Sequence, residues 1–184
     1  VIQLLTWGIR LAEIHNDKFR SVVYEKAKKS LHFLDACLIQ KNGYLSNYGS
    51  NDGALFFKLT EDDFRDYRSQ LDDLRVILEG THAYGTNSYH WYGIQMAEAI
   101  ELRSNEIDCF DEGGYFLMND QFSKTMIRCG AYKDRPAQSD NLHIDIWVDG
   151  KNYLWDTGSY KYNTFEDLIH FFMGTEGHNT ISID

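Results

Sequence analysis

Apolar residues recur at helical spacing through the first part of the chain, and this pattern predicts a series of helices. Residues 1–15 show the pattern from the first position, with no capping residue before it, so we expect the sequence to be a piece of a longer protein. Asn16 or Asp17 can cap a second helix, whose apolar stripe continues towards a stop at Gly43. The chain is therefore predicted to open with two helices.

The helical spacing returns after a loop rich in glycine and asparagine. We predict a third helix that begins at a Thr60 cap, with Asp63 three residues on, and that ends at Gly80. A fourth helix is predicted over residues 88–103, where every third or fourth residue is apolar. The chain up to this point should therefore be helical apart from its connecting loops.

From Ile107 the pattern changes to short runs that are typical of strands. Two such runs, 115–118 and 122–128, are joined by an Asn-Asp turn at 119–120. We therefore predict neighbouring strands in this part of the chain.

A hairpin is predicted next, because polar and apolar residues alternate over residues 142–148 and an Asp-Gly pair follows at 149–150. Residues 152–155 then form the expected return strand, which closes on Asp156. His178 stands before a further alternating run. Both polar residues are therefore expected at strand ends, where a sheet can hold them beside a cleft.

Helices followed by strands predict an α+β chain in which the two kinds of structure are segregated. The change in pattern places the expected boundary near residue 105. We therefore predict a helical domain over residues 1–105 and an antiparallel sheet domain over residues 106–184.

The charge of the chain argues against two classes of partner. A formal net charge of -10 disfavours binding to nucleic acid or to an anionic membrane surface, and no apolar run has the length of a membrane span. An acidic polymer would need a local basic patch, and the one dense candidate comprises Arg128, Lys133 and Arg135. Aromatic residues make up 15% of the chain; they suit sugar stacking, although filling of the core is their commoner role.

Five short motifs resemble the heparinase II/III-like proteins, a family of polysaccharide lyases. They are residues 47–54, 66–68, 138–142, 156–160 and 175–180. The resemblance implies the end of an α/α-toroid followed by the start of an antiparallel β-sandwich. It also implies β-elimination of acidic polysaccharides, a periplasmic or cell-surface location, and the remainder of a longer chain as partner.

The resemblance also identifies candidate catalytic residues. Elimination from a uronate needs a group that neutralises the carboxylate, a base and an acid. The family places an Asn-His pair and a Tyr upstream of residue 47, and a base His at the position that Pro136 occupies here. Proline cannot act as a base, and His143 is the nearby candidate to replace it.

A loop in the first half supplies further candidates. Tyr48 and Asn51 are candidate catalytic residues that can face the sugar, and Asp52 is a candidate for substrate binding. The alternative, which we favour, is an Asx turn in which Asn and Asp side chains bond to the backbone. Tyr160 and Arg135 are further candidates for substrate binding, although Tyr160 can also simply pack in the sandwich.

The family resemblance also implies a zinc site. The corresponding positions here are Gln138, Asp156 and His178, and an amide oxygen is a poorer zinc ligand than an imidazole. The alternative is that Asp156 accepts hydrogen bonds from the backbone or from His178 and so holds the hairpin. We favour this hydrogen-bonding alternative.

Three functions are consistent with these observations. The leading hypothesis is part of a lyase that cleaves a uronate-containing polysaccharide. The second is a non-catalytic relative that binds or positions a surface polysaccharide, which the Pro136 and Gln138 departures favour. The third is glycoside hydrolysis, with Asp52 and another carboxylate as acid and base.

Overall fold

A computed structural model describes residues 1–49, 55–131, 138–161 and 163–182. The chain divides into two compact units. The first unit comprises Val1–Leu38 and Leu55–Arg103, and the second comprises Ile39–Ala54 and Ser104–Asp184. The boundary predicted near residue 105 did not separate residues 39–49 from the helices that precede them.

The first unit is mainly helical. Its described elements are α1 (Ile2–Ile14), α2 (Ser21–Cys37), α3 (Arg68–Glu79), the short strands β3 (Thr81–His82) and β4 (Glu98–Ala99), and a 3-10 turn at Ser88–Tyr92. Helix α3 packs against both α1 and α2. Ile9, Leu31, Leu71 and Leu74 are buried in the resulting core, so the apolar stripes of the three helices meet as their spacing predicts.

A buried carboxylate fixes the loop that follows β3. Asp72 is fully buried on α3 and accepts hydrogen bonds from the backbone amides of Ala83, Tyr84 and Thr86 and from the Thr86 hydroxyl. These bonds give the buried carboxylate its hydrogen-bond partners. They also hold in place a loop that makes few strand contacts.

The second unit is built on an antiparallel sheet. Its elements are β2 (Tyr44–Leu45), β5 (Ile107–Phe110), β6 (Tyr115–Asn119), β7 (Ser123–Arg128), β8 (Ile144–Val148), β9 (Lys151–Leu154), α4 (Glu166–Met173) and a 3-10 turn at Thr175–Gly177. Strand β1 (Leu38–Ile39) pairs with β2. In the described part of the chain, β5 to β9 form one five-stranded sheet in which each strand neighbours the next along the sequence.

The hairpin predicted from the Asp-Gly pair is confirmed. Strands β8 and β9 are antiparallel, with Val148 opposite Lys151. Asp149 and Gly150 have φ values of 51° and 75°, the positive values that a two-residue hairpin turn of this hand requires. The turn therefore sets the register of β8, which carries His143 just before its first residue.

Three predicted helices differ from the structure. The second, expected to begin at an Asn16 or Asp17 cap and to stop at Gly43, spans Ser21–Cys37. The third begins at Arg68, not at Thr60, because two aspartates preceding it bind nearby backbone amides: Asp63 accepts from Arg65, and Asp66 accepts from Arg68. Such side chain to backbone bonds hold turns in competition with a helix. The end predicted at Gly80 is confirmed, with a left-handed φ of 73° at that residue.

The predicted fourth helix is absent from this region, all of which the structure describes. The 3-10 turn ends at Gly93, which has a left-handed φ of 75°. Strand β4 then runs parallel to β3, and the Ile100 amide donates to the His82 carbonyl. Backbone pairing with β3 thus replaced the helix that the apolar spacing favoured.

The strand predicted after His178 is not formed by the described residues 179–182. The α+β class is confirmed, with helices in the first unit and an antiparallel sheet in the second. Among the residues that the structure describes, no helix has the length and apolar character needed to cross a bilayer.

Gly114 should tolerate replacement less well than Gly49, another glycine of the second unit. It has a φ of 69°, and an added Cβ would lie 2.4 Å from the Cys129 carbonyl oxygen. Gly49 also has a positive φ, 62°, but its Cβ would meet nothing within 4 Å. We expect Gly49→Ala to cost about 1 kcal/mol of unfolding free energy and Gly114→Ala at least about 3 kcal/mol.

Urea unfolding followed by tryptophan fluorescence would measure both losses. Equal losses for the two variants would show that the backbone around Gly114 moves aside easily.

Candidate functional site

A buried cluster forms where the end of β9 and the turn after α4 approach β8. Each of His143, Asp156 and His178 offers a potential ligand atom, and these atoms all lie within 4.8 Å of one another. The Asp156 and His178 side chains have no exposed surface, and His178 Nδ1 lies 3.0 Å from Asp156 Oδ2. The two residues that the sequence placed at a shared pocket are therefore in direct contact.

Hydrogen bonds fix the Asp156 side chain. Its Oδ1 accepts from the Gly158 backbone amide at 2.7 Å, and its Oδ2 faces His178. The neighbouring Thr157 hydroxyl donates to the Gly177 carbonyl at 2.8 Å. The loop after β9 is thus tied to the 3-10 turn before His178. These contacts are the ones that the hydrogen-bonding alternative expects.

His143 is held by the chain segment that follows His178. Its Nδ1 accepts the Asn179 backbone amide at 3.0 Å, so the proton of the neutral ring lies on Nε2. Burial lowers the pKa of His143, and the nearby Asp156 charge opposes that shift. The ring is 1% exposed, so it lies out of reach of a bound polysaccharide in this structure. Its predicted role as the base is therefore not supported by its position.

Three polar atoms of the candidate residues are buried without a hydrogen-bond partner in the described part of the chain. They are His143 Nε2, His178 Nε2 and Gln138 Oε1. Gln138 is 5% exposed, and its Nε2 lies 3.5 Å from Ser159 Oγ. Buried polar groups are normally satisfied. The imidazole and carboxylate groups of the cluster therefore fit a bound cation, to which Gln138 would add an amide oxygen.

The donor set fits zinc better than calcium or magnesium, because imidazole nitrogen suits zinc and the harder cations prefer oxygen. His143 can offer Nδ1 to a metal only by giving up the Asn179 amide. His178 keeps Nε2 without a partner in the described part of the chain, whereas Asp156 Oδ2 would have to be shared with His178 Nδ1. The set Gln138, Asp156 and His178 stays a prediction.

The structure places Tyr48 beside the sheet. Its ring meets the Tyr115 ring edge-on, with centroids 5.1 Å apart. The Arg128 guanidinium lies over the same Tyr115 ring at 5.7 Å and pairs with Asp140. Tyr48 is half-buried, so one side of it is packed and the other remains accessible.

Tyr160 lies on an exposed aromatic surface. Its ring is stacked on Phe172, with centroids 5.3 Å apart and an angle of 13° between the planes. Lys161 Nζ lies 5.1 Å from the centroid of the Tyr160 ring. Tyr160 is 57% exposed. Tyr160 also has a φ of 54°, an uncommon value that often marks functional loops.

Three other predicted residues, Asn51, Asp52 and Arg135, lie outside the described residues, as does Pro136. The candidate catalytic and substrate-binding assignments of Asn51, Asp52 and Arg135 therefore stay predictions.

Sequence reasoning missed a buried carboxylate next to the cluster. Asp145 is fully buried on β8 and accepts hydrogen bonds from Ser46 at 2.9 Å and from Asn152 at 3.0 Å. Burial raises the pKa of Asp145 to about 6. A usable sign was present, because Asp145 alternates with His143 and Trp147 on one face of the strand. A strand face with a tryptophan between apolar neighbours is expected to be buried.

A family model and a known relative each match part of the chain. Residues 103–184 match the family model described as Heparinase II/III-like, C-terminal. A heparin-sulfate lyase from Bacteroides thetaiotaomicron is 27% identical over 95 residues, which are 44% of this chain and 14% of that protein. The resemblance inferred from the motifs is therefore confirmed.

Solved structures extend the similarity to the fold of both units. A heparinase III gene product with methylated lysines has a TM-score of 0.69 at 16% identity, covering 97% of this chain and 27% of its own. Heparan sulfate lyase HepC from Pedobacter heparinus has a TM-score of 0.65 at 14% identity, with the same coverage. The chain thus spans about a quarter of these relatives.

Breaking the buried pair should destabilise the protein strongly. We expect His178→Ala to cost about 3 kcal/mol of unfolding free energy, since it leaves the Asp156 carboxylate buried with one bond fewer. The matched control is His170→Ala, because His170 pairs with Glu166 at 3.6 Å on the surface with 74% of its side chain exposed. That variant should cost less than about 0.5 kcal/mol.

Chemical denaturation in the presence of a chelator would measure both variants without a contribution from metal. A His178→Ala loss no larger than that of the control would mean that the pair contributes little to stability.

Proposed function

Because residues 103–184 match the C-terminal domain of the heparinase II/III-like proteins, we propose that this chain is part of a polysaccharide lyase. The proposed reaction is β-elimination at the uronate residues of an acidic polysaccharide. The observation that supports it most is the buried Asp156–His178 pair, which joins two of the motifs shared with that family.

The elimination requires one proton to leave and another to arrive. A base takes the proton next to the carboxylate, the freed electron pair forms a carbon–carbon double bond, and the glycosidic bond breaks. The leaving oxygen then takes a proton from an acid. We assign the role of the acid to the Tyr48 phenol, which donates its proton to the leaving oxygen. Tyr48 stands on a loop beside Tyr115. Asn51 is assigned to hydrogen-bond the substrate carboxylate as its negative charge increases.

The substrate surface is proposed to include Tyr160. An exposed ring stacks against a sugar face, and the Lys161 ammonium beside it suits an anionic sugar despite the acidic chain. Arg135 and Asp52 complete the proposed binding set. His143, in contrast, is assigned to the buried cluster rather than to proton abstraction.

We also propose that Asp156 and His178, with Gln138, hold a zinc ion. When bound, the ion would supply a positive charge that links the loop after β9 to the turn after α4. The chain's own contacts already bring these two segments together, through Asp156 to His178 and through Thr157 to Gly177. The metal is therefore assigned a structural function beside the substrate surface.

A non-catalytic relative that binds polysaccharide is the second candidate. Pro136 and Gln138 stand where the family has histidines, and proline offers no base. This candidate uses the same exposed Tyr160 surface and needs no proton transfer by Tyr48.

The lyase proposal is tested by incubating the full-length protein with a panel of uronate polymers and following the ultraviolet absorbance of unsaturated ends. We expect activity in the wild type and a loss of about 100-fold or more in kcat for Tyr48→Phe, which removes the transferable proton. The control is Tyr153→Phe, an exposed tyrosine on β9, which should leave kcat unchanged.

Other outcomes select the alternatives. Binding on a glycan array with no turnover would select the non-catalytic relative. New reducing ends without unsaturated product would select hydrolysis. Full activity in Tyr48→Phe would remove Tyr48 from the mechanism while leaving the lyase in place.

The metal proposal is tested by elemental analysis of the full-length protein and by thermal unfolding with and without a chelator. We expect about one zinc per chain and a lower Tm after chelation. Asp156→Ala should abolish both the zinc and the effect of the chelator. Asp149→Ala, which removes an exposed aspartate of the same hairpin, should retain both. A wild-type Tm that does not respond to chelation would contradict the proposal.

A further inference from the structure

We propose that Asp145, acting through Ser46, is a positioning residue that holds Tyr48 in place for the proposed reaction. The inference rests on the proposed function, since it assumes that Tyr48 transfers a proton. It concerns residues 39–49, here called the docking segment, which belong to the second unit and carry Tyr48 near their end.

A buried contact between Ser46 and Asp145 ties the docking segment to the sheet. Ser46 is 2% exposed and Asp145 is fully buried, and the hydroxyl donates to Oδ1 at 2.9 Å. Hydrogen bonds to a buried carboxylate are stronger than neutral ones. Asn152 donates from β9 to the other carboxylate oxygen, Oδ2, at 3.0 Å. The bond to Ser46 is therefore separate from the bond to Asn152.

Two other described contacts of the docking segment lie farther from Tyr48. Lys41 pairs with Asp149, but both side chains are more than half exposed, so this ion pair contributes little. Asn42 Nδ2 donates to the Gly150 carbonyl at 3.0 Å, six residues before Tyr48. These contacts fix the start of the segment and leave its end to other residues.

Ser46 acts close to Tyr48, since it lies two residues before it and makes a short, buried bond to Asp145. Asn47 Nδ2 lies 3.5 Å from the Asp156 carbonyl, at the limit of a hydrogen bond. The Tyr115 ring supports the Tyr48 ring edge-on. The Ser46 bond therefore fixes the backbone to the sheet just before the ring.

A positioning residue and a merely structural one predict different kinetics. A small displacement of a catalytic group can cost much of the rate, since proton transfer depends on distance and direction. General loosening of the fold lowers the amount of active protein and affects all measured steps alike. Asn152 offers the comparison, because its side chain donates to the same Asp145 carboxylate from β9, outside the docking segment.

The experiment compares Ser46→Ala with Asn152→Ala in the full-length protein. Each variant removes one hydrogen bond to the Asp145 carboxylate. We expect Ser46→Ala to lower kcat by about 10-fold or more with KM within about twofold of wild type. Asn152→Ala should lower the Tm without changing kcat.

A double-mutant cycle tests the path through Tyr48. If Ser46 acts on the rate only by placing the phenol, Ser46→Ala should cause no further fall in kcat in a Tyr48→Phe background. Equal kcat losses for Ser46→Ala and Asn152→Ala, or additive losses in the double variant, would overturn the proposal.

Hydrogen–deuterium exchange separates this proposal from the lyase assignment. Ser46→Ala should raise exchange in residues 44–49, and Asn152→Ala should leave it at the wild-type level. If the wild type is inactive on every polymer, the proposed function fails, and exchange still decides whether Asp145 fixes this segment. Unchanged exchange in Ser46→Ala would overturn the positioning role.

Discussion

A buried carboxylate must be given partners, and the rest of the site follows from how Asp156 obtains them. Its two oxygens are shared between the Gly158 amide and His178, and neither the carboxylate nor the imidazole reaches solvent. Removing a charge from water costs several kcal/mol, so the fold tolerates it only with well-placed donors. The loop after β9 and the turn before His178 are therefore constrained to one arrangement, which in turn places the amide that binds His143.

Carboxylates with well-placed donors recur elsewhere in the described part of the chain, and Asp72 and Asp145 are two examples. Asp72 collects the amides of the loop after β3, and Asp145 collects Ser46 and Asn152. In each case a carboxylate on a regular element fixes an irregular segment that has little backbone pairing. The strongly acidic composition is thus partly explained, since several aspartates are buried and hold loops through hydrogen bonds. These carboxylates specify one loop conformation. Their hydrogen bonds offset the free energy that burial of a charged group would otherwise cost.

Much of the fold could be predicted because its signs are local. The Asp-Gly pair at 149–150 and the helix stop at Gly80 depend on a few adjacent residues, and both predictions are confirmed. The helix expected over residues 88–103 failed because pairing between β3 and β4 prevailed over apolar spacing. Local turn chemistry at Asp63 and Asp66 likewise delayed α3. The spacing of apolar residues does not show whether strand pairing or a local turn will be more stable than a helix.

The site was predictable only where sequence motifs carried it. Asp156 and His178 were identified from the family resemblance, and their contact agrees with it. The entry of His143 into the cluster depends on a hydrogen bond to Asn179, 36 residues away, and the Ser46–Asp145 bond joins residues 99 apart. Contacts of that range follow from tertiary packing, which periodicity does not encode. His143 and Asp145 are two residues apart in the alternating run 142–148, and that alternation does not reveal their distant partners.

The sequential order of β5 to β9 has a consequence for how the second unit assembles. Every pairing in this sheet joins strands that are adjacent along the chain, so it can grow by adding one strand after another. The connections have two to four residues, except for the 15 residues between β7 and β8. The partners of Ser46, by contrast, must be found across almost a hundred intervening residues. Closing a loop of that length costs more chain entropy than closing a hairpin, and such contacts therefore form more slowly. The sheet should therefore form early and the docking segment should pack onto it last, so the latest-folding part of the unit is the part to which the proposed proton transfer is assigned.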